Sequence, residues 1–291
     1  MTAIRLDGKV AAAAVKSDLA ERIRSLAEVG IVPGLATVLV GEDPGSLAYI
    51  SGKHRACAEV GMASIRHDLA STASRSEVLD VIATLNADPT IDGYLVQHPV
   101  PPHLDFNELL AAVDPAKDAD GLHPTNLGLL ALGVAGTPRP CTPSGIQALL
   151  HHFSVPVEGS HVVIVGRGPT VGRPLAILLS LKEAGANATV TQVHTGTRDV
   201  AALTRQADIL VAATGRPGTV TADMVKPGAA VLDVGITRTE SVLVGDVAPE
   251  VSEVAGWLAP IPGGVGPMTI ALLLRNALET AERRAGRLGG R

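Results

Sequence analysis

Six short segments of the chain are apolar and rich in β-branched residues: LATVLV at 35–40, IDGYLVQ at 91–97, HVVIVG at 161–166, ATVTQV at 188–193, ADILVAA at 207–213 and AAVLDVG at 229–235. Longer stretches of helical period alternate with them, at 9–29 (with Leu19, Ile23 and Leu26 at helical spacing), 46–60, 75–86, 143–152, 172–183 and 267–284. Apolar strands separated by helices predict an α/β fold whose parallel sheets are covered on both faces.

A chain of 291 residues is long for a single core and comfortable for two. The run GTPRPCTPSG at 136–145 concentrates proline and glycine and suits a rigid crossing between domains. The expected division is a first domain of residues 1–140 plus 268–291 and a second of 141–267. In this scheme the final helical stretch TIALLLRNALETAERR returns to the first domain, and the closing GRLGGR is a solvated tail. The net charge of −5 and an aromatic content of 2% argue against nucleic acid as a partner, which needs a basic footprint and stacking rings. The N-terminal MTAIRLDGKV has no apolar signal core, and the stretch from Val10 to Val15 is far short of the ~20 residues of a membrane span. Cys57 and Cys141 lie far apart and fit no redox or metal spacing, so they read as buried thiols in a reducing compartment. The expectation is a soluble, unprocessed, cytoplasmic protein.

The segment HVVIVGRGPTVGRPLAILL reads as a strand, a turn carrying Gly166, Gly168 and Gly172, and the start of a helix. Glycines in such a turn let the backbone approach a pyrophosphate, and free N–H groups at the helix N-terminus bind its charge. The spacing is GxGxxxG, and an ordinary strand-to-helix turn remains open on the glycines alone. NAD sites carry an acidic residue at the end of the next strand, roughly 20 residues on, for the ribose 2′-hydroxyl. Here that strand ends in VHTGTR, with no carboxylate at His194 or Thr195. Arg167 and Arg198 are available to neutralise a 2′-phosphate and Thr195 to hydrogen-bond it, which favours NADP; a solvated arginine opening a helix is the other reading of Arg198. Thr214-Gly215 and Gly235-Ile236 end two further strands, at the edge where an open α/β sheet binds its ligand.

In SLAYISGKHRACAEVG, Tyr49 and Lys53 are four apart and face the same way on a helix. An amphipathic helix with a solvated lysine fits the same residues. Gln97 follows an apolar strand, and Asp118 and Asp120 lie in the loop DPAKDADGLHP, the kind of place where catalytic groups sit. A desolvated lysine loses proton affinity and can act as acid or base, and a glutamine orients it without adding charge. Asp120 is suited to accept hydrogen bonds from an amino-substituted heterocycle; the other reading, favoured by spacing for at least one of the two aspartates, is that they shape the turn before Gly121. His98, His103 and His123 fall in the same loops without metal-ligand spacing, so no metal is expected.

Together the YxxxK of Tyr49 and Lys53, the VQxP of Gln97, KDADG, PCTPSG, the GRG turn and PGGVGPMTI at 262–270 resemble, in order and over essentially the whole chain, the methylenetetrahydrofolate dehydrogenase/cyclohydrolase family. The resemblance implies an α/β substrate domain and a Rossmann-like NADP domain with a shared cleft, usually in a homodimer. It implies tetrahydrofolate derivatives as substrates and NADP as cofactor. It assigns Lys53 as principal acid/base of the cyclohydrolase step, Gln97 as the group that tunes and positions it, Tyr49 as a stacking surface for the folate, and Asp120 as the pterin anchor. Gly166, Arg167, Gly168, Thr195 and Ile236 match cofactor contacts, and Gly263 and Gly264 would close over the folate and nicotinamide region. The sequence departs from the family at His98, giving VQHPV in place of VQLPL, and at Gly168, where a serine often stands. The first departure is expected to alter polarity beside Gln97, and the second to remove a hydroxyl within reach of the cofactor phosphates.

Overall fold

All six apolar segments are strands in the computed structural model, which describes residues 3–239 and 243–289. They fall into two sheets and two compact units: residues 14–141 with the chain from Ile270 onward, and residues up to Ala13 with Thr142–Thr269.

The first unit is built on a three-stranded parallel sheet, β2 (Gly34–Val40) flanked by β3 (Ala63–Leu69) and β4 (Gly93–Val96). Strand β2 is central and every residue of it is buried. Edge strand β3, ASIRHDL, is mostly exposed and polar, which is why hydrophobic patterning does not reveal it. Helix α2 (Pro44–Val60) is punctuated at both ends. Asp43 accepts the Ser46 N–H at 2.7 Å, Pro44 opens the first turn, and Gly61 takes the left-handed conformation after the last. Helix α3 (Arg75–Ala87) starts in a reciprocal Ser74–Glu77 capping box. Ala36, Val38, Val78, Ile82, Leu85, Tyr94 and Leu109 form the core between sheet and helices.

The long C-terminal helix spans Val265–Gly289, and its part from Ile270 on belongs to this unit, as expected. Ala277 packs so closely on Gly93 that a Cβ there would lie 3.1 Å away. Near its end Arg284 grips buried Asp92 with two hydrogen bonds of 2.8 and 2.9 Å, and Asp92 also accepts the Gly34 N–H at 3.0 Å. The helix runs on into the closing segment expected to be a solvated tail; Gly290 and Arg291 of that segment lie outside the described residues.

The second unit contains a six-stranded sheet in which every neighbouring pair is parallel. Its order is β1 (Ile4–Arg5), β11 (Trp257–Ala259), β8 (Ala230–Asp233), β7 (Ile209–Ala212), β5 (His161–Val165) and β6 (Thr189–Val193). Strands β1 and β11 are too short to carry a pattern of their own. Their pairing draws residues up to Ala13 into this unit, whereas the sequence division had assigned them to the first. The chain passes between units at Cys141–Thr142, where helix α6 (Cys141–His152) begins. The segment expected to be a rigid crossing is therefore half helix, with Pro143 in the first turn, where its missing N–H costs nothing. Helices α7 (Gly172–Ser180) and α8 (Val200–Thr204) follow β5 and β6, and a hairpin of β9 (Ile236–Arg238) and β10 (Leu243–Gly245) follows β8.

Replacing Arg284 by Ala strands a buried carboxylate. The expected loss is on the order of 2 kcal/mol in urea unfolding, and a midpoint equal to wild type would show that Asp92 does not depend on this pair.

Candidate active site

Helix α2 buries Ser46, Ile50, Lys53, Ala56, Cys57 and Val60, a stripe at helical spacing in which Lys53 occupies an apolar position. Lys53 is 3% exposed, so the solvated-lysine reading does not apply. Its Nζ donates to Gln97 Oε1 at 3.1 Å and sits 4.7 Å from the centre of the Tyr49 ring. Gln97 extends the β2–β4 ladder by donating its backbone N–H to the Val38 carbonyl at 2.8 Å, and its Nε2 donates to the His98 carbonyl at 2.8 Å. With one end of the amide donating and the other accepting, the oxygen is fixed toward the lysine. Burial lowers the Lys53 pKa below the ordinary lysine value, opposed by the carboxylate of Asp120.

The two aspartates of the loop separate in role. Asp118 is buried and accepts from the Gly121 and His123 N–H groups at 3.0 and 2.7 Å and from Asn126 Nδ2 at 2.9 Å, so it shapes the turn. Burial nonetheless pushes its carboxyl above the usual aspartate range. Asp120 contributes its carbonyl to the N–H of Cys141 at 3.0 Å, and its carboxylate is left as the acidic group that acts on Lys53. Both thiols are buried and free. That of Cys57 is pushed up to about 12 by burial and that of Cys141 is raised for the same reason, which leaves them protonated and unreactive.

The three histidines are occupied elsewhere. The His98 ring packs edge-on to Phe106 at 4.8 Å, His103 bonds the Ala73 carbonyl at 2.9 Å, and His123 caps the helix Pro124–Ala131 through Nδ1. Gln97 meets the backbone carbonyl of His98, and the His98 ring packs on Phe106. No three His, Cys, Asp or Glu side chains come together as metal ligands among the described residues.

In the second unit the chain runs from β5 out to β6, then back across to β7 on the other side, so the sheet has its switch point between β5 and β7. At that crevice, outside the carboxyl ends of the strands, an open α/β sheet takes its ligand. Gly166 has a φ of 125°, and a Cβ on it would lie 2.3 Å from the Ala213 carbonyl oxygen. A Cβ on Gly172 would lie 2.4 Å from the Gly166 oxygen, while one on Gly168 would meet open space. Helix α7 begins at Gly172 with no side-chain cap, but its Arg173 N–H donates to the Gly168 carbonyl at 3.1 Å and Pro174 has no N–H, so of the first turn's donors only that of Gly172 itself is left to face an anion. After β6, His194 and Thr197 close a tight turn through the Thr197 hydroxyl and the Thr197 N–H. Thr195, Arg198 and Arg167 are exposed, and Asp199, the carboxylate nearest them in sequence, is committed to capping α8 through the Ala202 N–H. These features fit a dinucleotide with a 2′-phosphate: a close backbone cradle, an uncapped helix start and arginines without an acidic competitor.

Ile236, at the start of β9, is 55% exposed. Gly263 (φ 100°) and Gly264 are packed against Gly8, where a Cβ would fall 1.6 Å from the Gly264 oxygen. The structure adds two residues that the sequence reading passed over, Asp233 and Asp246. Both are buried, Asp233 Oδ1 accepts the Asp246 N–H at 2.7 Å, and burial pushes the Asp233 carboxyl up to about 7. The only sequence signal for Asp233 is a carboxylate closing an apolar strand.

The family models "tetrahydrofolate dehydrogenase/cyclohydrolase, catalytic domain" and "tetrahydrofolate dehydrogenase/cyclohydrolase, NAD(P)-binding domain" match residues 6–120 and 140–285 respectively. A bifunctional methylenetetrahydrofolate dehydrogenase/cyclohydrolase from Campylobacter jejuni is 42% identical, with 96% of this chain and 99% of that one covered and a TM-score of 0.92. The methylenetetrahydrofolate dehydrogenase of the silkworm Bombyx mori is 38% identical over 98% of this chain and 100% of that one, with a TM-score of 0.92. The dehydrogenase-cyclohydrolase of Trypanosoma brucei, solved with NADP cofactor and an inhibitor, is 36% identical over 98% and 99%, with a TM-score of 0.91.

Because a side chain at position 168 meets no atom, Gly168→Ser should tighten NADP⁺ binding by one hydrogen bond, about 1 kcal/mol or roughly fivefold in Kd. Gly166→Ala should abolish it. Titration calorimetry that finds Gly168→Ser unchanged and Gly166→Ala binding normally would remove the cofactor from this turn.

Proposed function

The chain belongs to the tetrahydrofolate dehydrogenase/cyclohydrolase family, and on that premise we propose that it oxidises 5,10-methylenetetrahydrofolate to the 5,10-methenyl form with NADP and hydrolyses that product to 10-formyltetrahydrofolate. The observation that carries this reading is the buried Lys53 amine held by Gln97 and overlaid on Tyr49.

Bound NADP⁺ supplies the hydride acceptor, and Gly166, Arg167, Gly168 and Gly172, with Thr195, Arg198 and Ile236, are the residues that would hold it. Loss of hydride leaves the folate with a delocalised methenyl cation, whose carbon accepts water. A neutral Lys53 can take one proton of that water as its oxygen bonds the carbon, and the ammonium it becomes can protonate the ring nitrogen as the carbon–nitrogen bond breaks, the remaining hydroxyl proton leaving to solvent as the formyl C=O forms. Desolvation raises the neutral fraction at any given pH, which also spares the cationic substrate from a permanent positive neighbour. Gln97 aims the amine without fixing its charge; a carboxylate in its place would favour the ammonium. Asp120 keeps the lysine protonatable and is the acceptor suited to the amino-substituted pterin. The Tyr49 face offers a stacking surface for the folate rings.

No helix among the described residues is long and apolar enough to cross a membrane. Free, unreactive thiols suit the cytoplasm, and a homodimer is the assembly we propose.

With methylenetetrahydrofolate and NADP⁺, wild type should reduce the cofactor with little methenyl accumulation. Lys53→Ala should still reduce it while methenyl hydrolysis falls at least ~100-fold. The hydrolysis rate should rise with pH and level off below the ordinary lysine range, because the lowered pKa makes the base form available early. Rapid methenyl hydrolysis by Lys53→Ala would refute the lysine's role, and absence of any cofactor reduction by folded wild type would refute the dehydrogenase.

A further inference from the structure

The reaction above makes no use of Asp246, whose side chain is fully buried just after β10. Its carboxylate gathers four donors from three consecutive residues. Oδ2 accepts the Thr214 N–H, the Thr214 hydroxyl at 2.8 Å and the Gly215 N–H at 3.1 Å, and Oδ1 accepts the Arg216 N–H at 2.7 Å. Asp233, the last residue of β8, holds Asp246 in turn by accepting its backbone N–H. Two glycines make room for the pair. A Cβ on Gly235 would fall 2.1 Å from Asp246 Oδ2, and one on Gly245 would fall 1.7 Å from Asp233 Oδ2. With the Asp233 carboxyl raised by burial, the two acids need not both be charged near neutrality.

The residues so clamped are the loop leaving β7, which begins at Ala213 against Gly166. Thr237 of β9 donates its hydroxyl to the Gly215 carbonyl at 3.0 Å, tying the strand that starts with Ile236 to the same loop. The loop lies beyond Ala212, the last paired residue of β7, so its N–H groups lack the partners a neighbouring strand would supply. The carboxylate replaces them and selects one backbone conformation.

We propose that Asp246 is a positioning residue for the reacting end of the dinucleotide, fixing the Thr214–Arg216 backbone at the carboxyl ends of β7 and β8, with Asp233 as its support. The adenosine end is served by the Gly166–Gly172 turn and the β6 exit, which Asp246 does not touch. The inference rests on the cofactor part of the proposed function and needs no folate for its test. Asp246→Asn turns an amide N–H toward N–H donors and should loosen the loop without emptying the site of side-chain volume.

Calorimetry on the full chain with NADP⁺ and with 2′,5′-ADP, which lacks the nicotinamide half, decides the matter. Asp246→Asn should weaken NADP⁺ by about tenfold while 2′,5′-ADP stays within about twofold of wild type. Equal affinities of variant and wild type for NADP⁺ would overturn the proposal. Should Asp246→Asn fail to fold, Thr214→Val, which removes one hydroxyl donor and keeps the carboxylate, takes its place: a loss of about threefold for NADP⁺ alone supports the proposal, and equal losses for both ligands, or none, overturn it. Wild-type binding of NADP⁺ without folate turnover would refute the proposed function and leave this comparison intact.

Discussion

An amine set on the buried stripe of a helix must either lose its charge or be compensated, and much of the first unit is arranged around that constraint. Lys53 stands where an apolar residue would ordinarily complete the stripe from Ile50 to Cys57 and Val60. Its amine donates to a neutral amide, Gln97, itself pinned by a backbone carbonyl. The compensation is deliberately incomplete in physical terms. A glutamine satisfies a donor without stabilising the ammonium, and Asp120 acts only through space, so the lysine remains able to change protonation state.

Around this amine, rigid elements fix the positions of its partners. Gln97 is an extension of a strand paired with the fully buried β2, and Asp120 sits in a turn whose shape is set by Asp118. The sheet bearing Gln97 is in turn tied to the C-terminal helix through Asp92 and Arg284. The second unit follows a different logic, one of close approach. Gly166, Gly172, Gly235 and Gly245 each stand where a side chain would collide with backbone or carboxylate, while Gly168, which has space around it, is free to vary.

The strands that build both sheets were legible because each is apolar along its length, as buried parallel strands are. Strand β3 was not, since an exposed edge needs no apolar pattern, and β1 and β11 are too short to show one. The position of residues 3–13 depends on that unreadable pairing. Within the site, Tyr49, Lys53 and Gln97 could be named from spacing and resemblance, but whether Lys53 faced solvent was open until Ile50, Cys57 and Val60 were seen buried beside it. Resemblance singled out Asp120, but the role of Asp118 in the turn was not legible, because its donors, Gly121, His123 and Asn126, meet it only in the folded loop. Asp246 was invisible for a similar reason: its donors lie about thirty residues earlier in the chain.

The central claim is that the fold holds Lys53 as a base of lowered proton affinity. The most direct measurement is an NMR titration of the Lys53 side chain in the folded protein, with Gln97→Glu alongside. The account predicts a midpoint below that of the exposed lysines and a rise toward them when a carboxylate replaces the amide. A Lys53 that titrates with the exposed lysines, unmoved by Gln97→Glu, would contradict it.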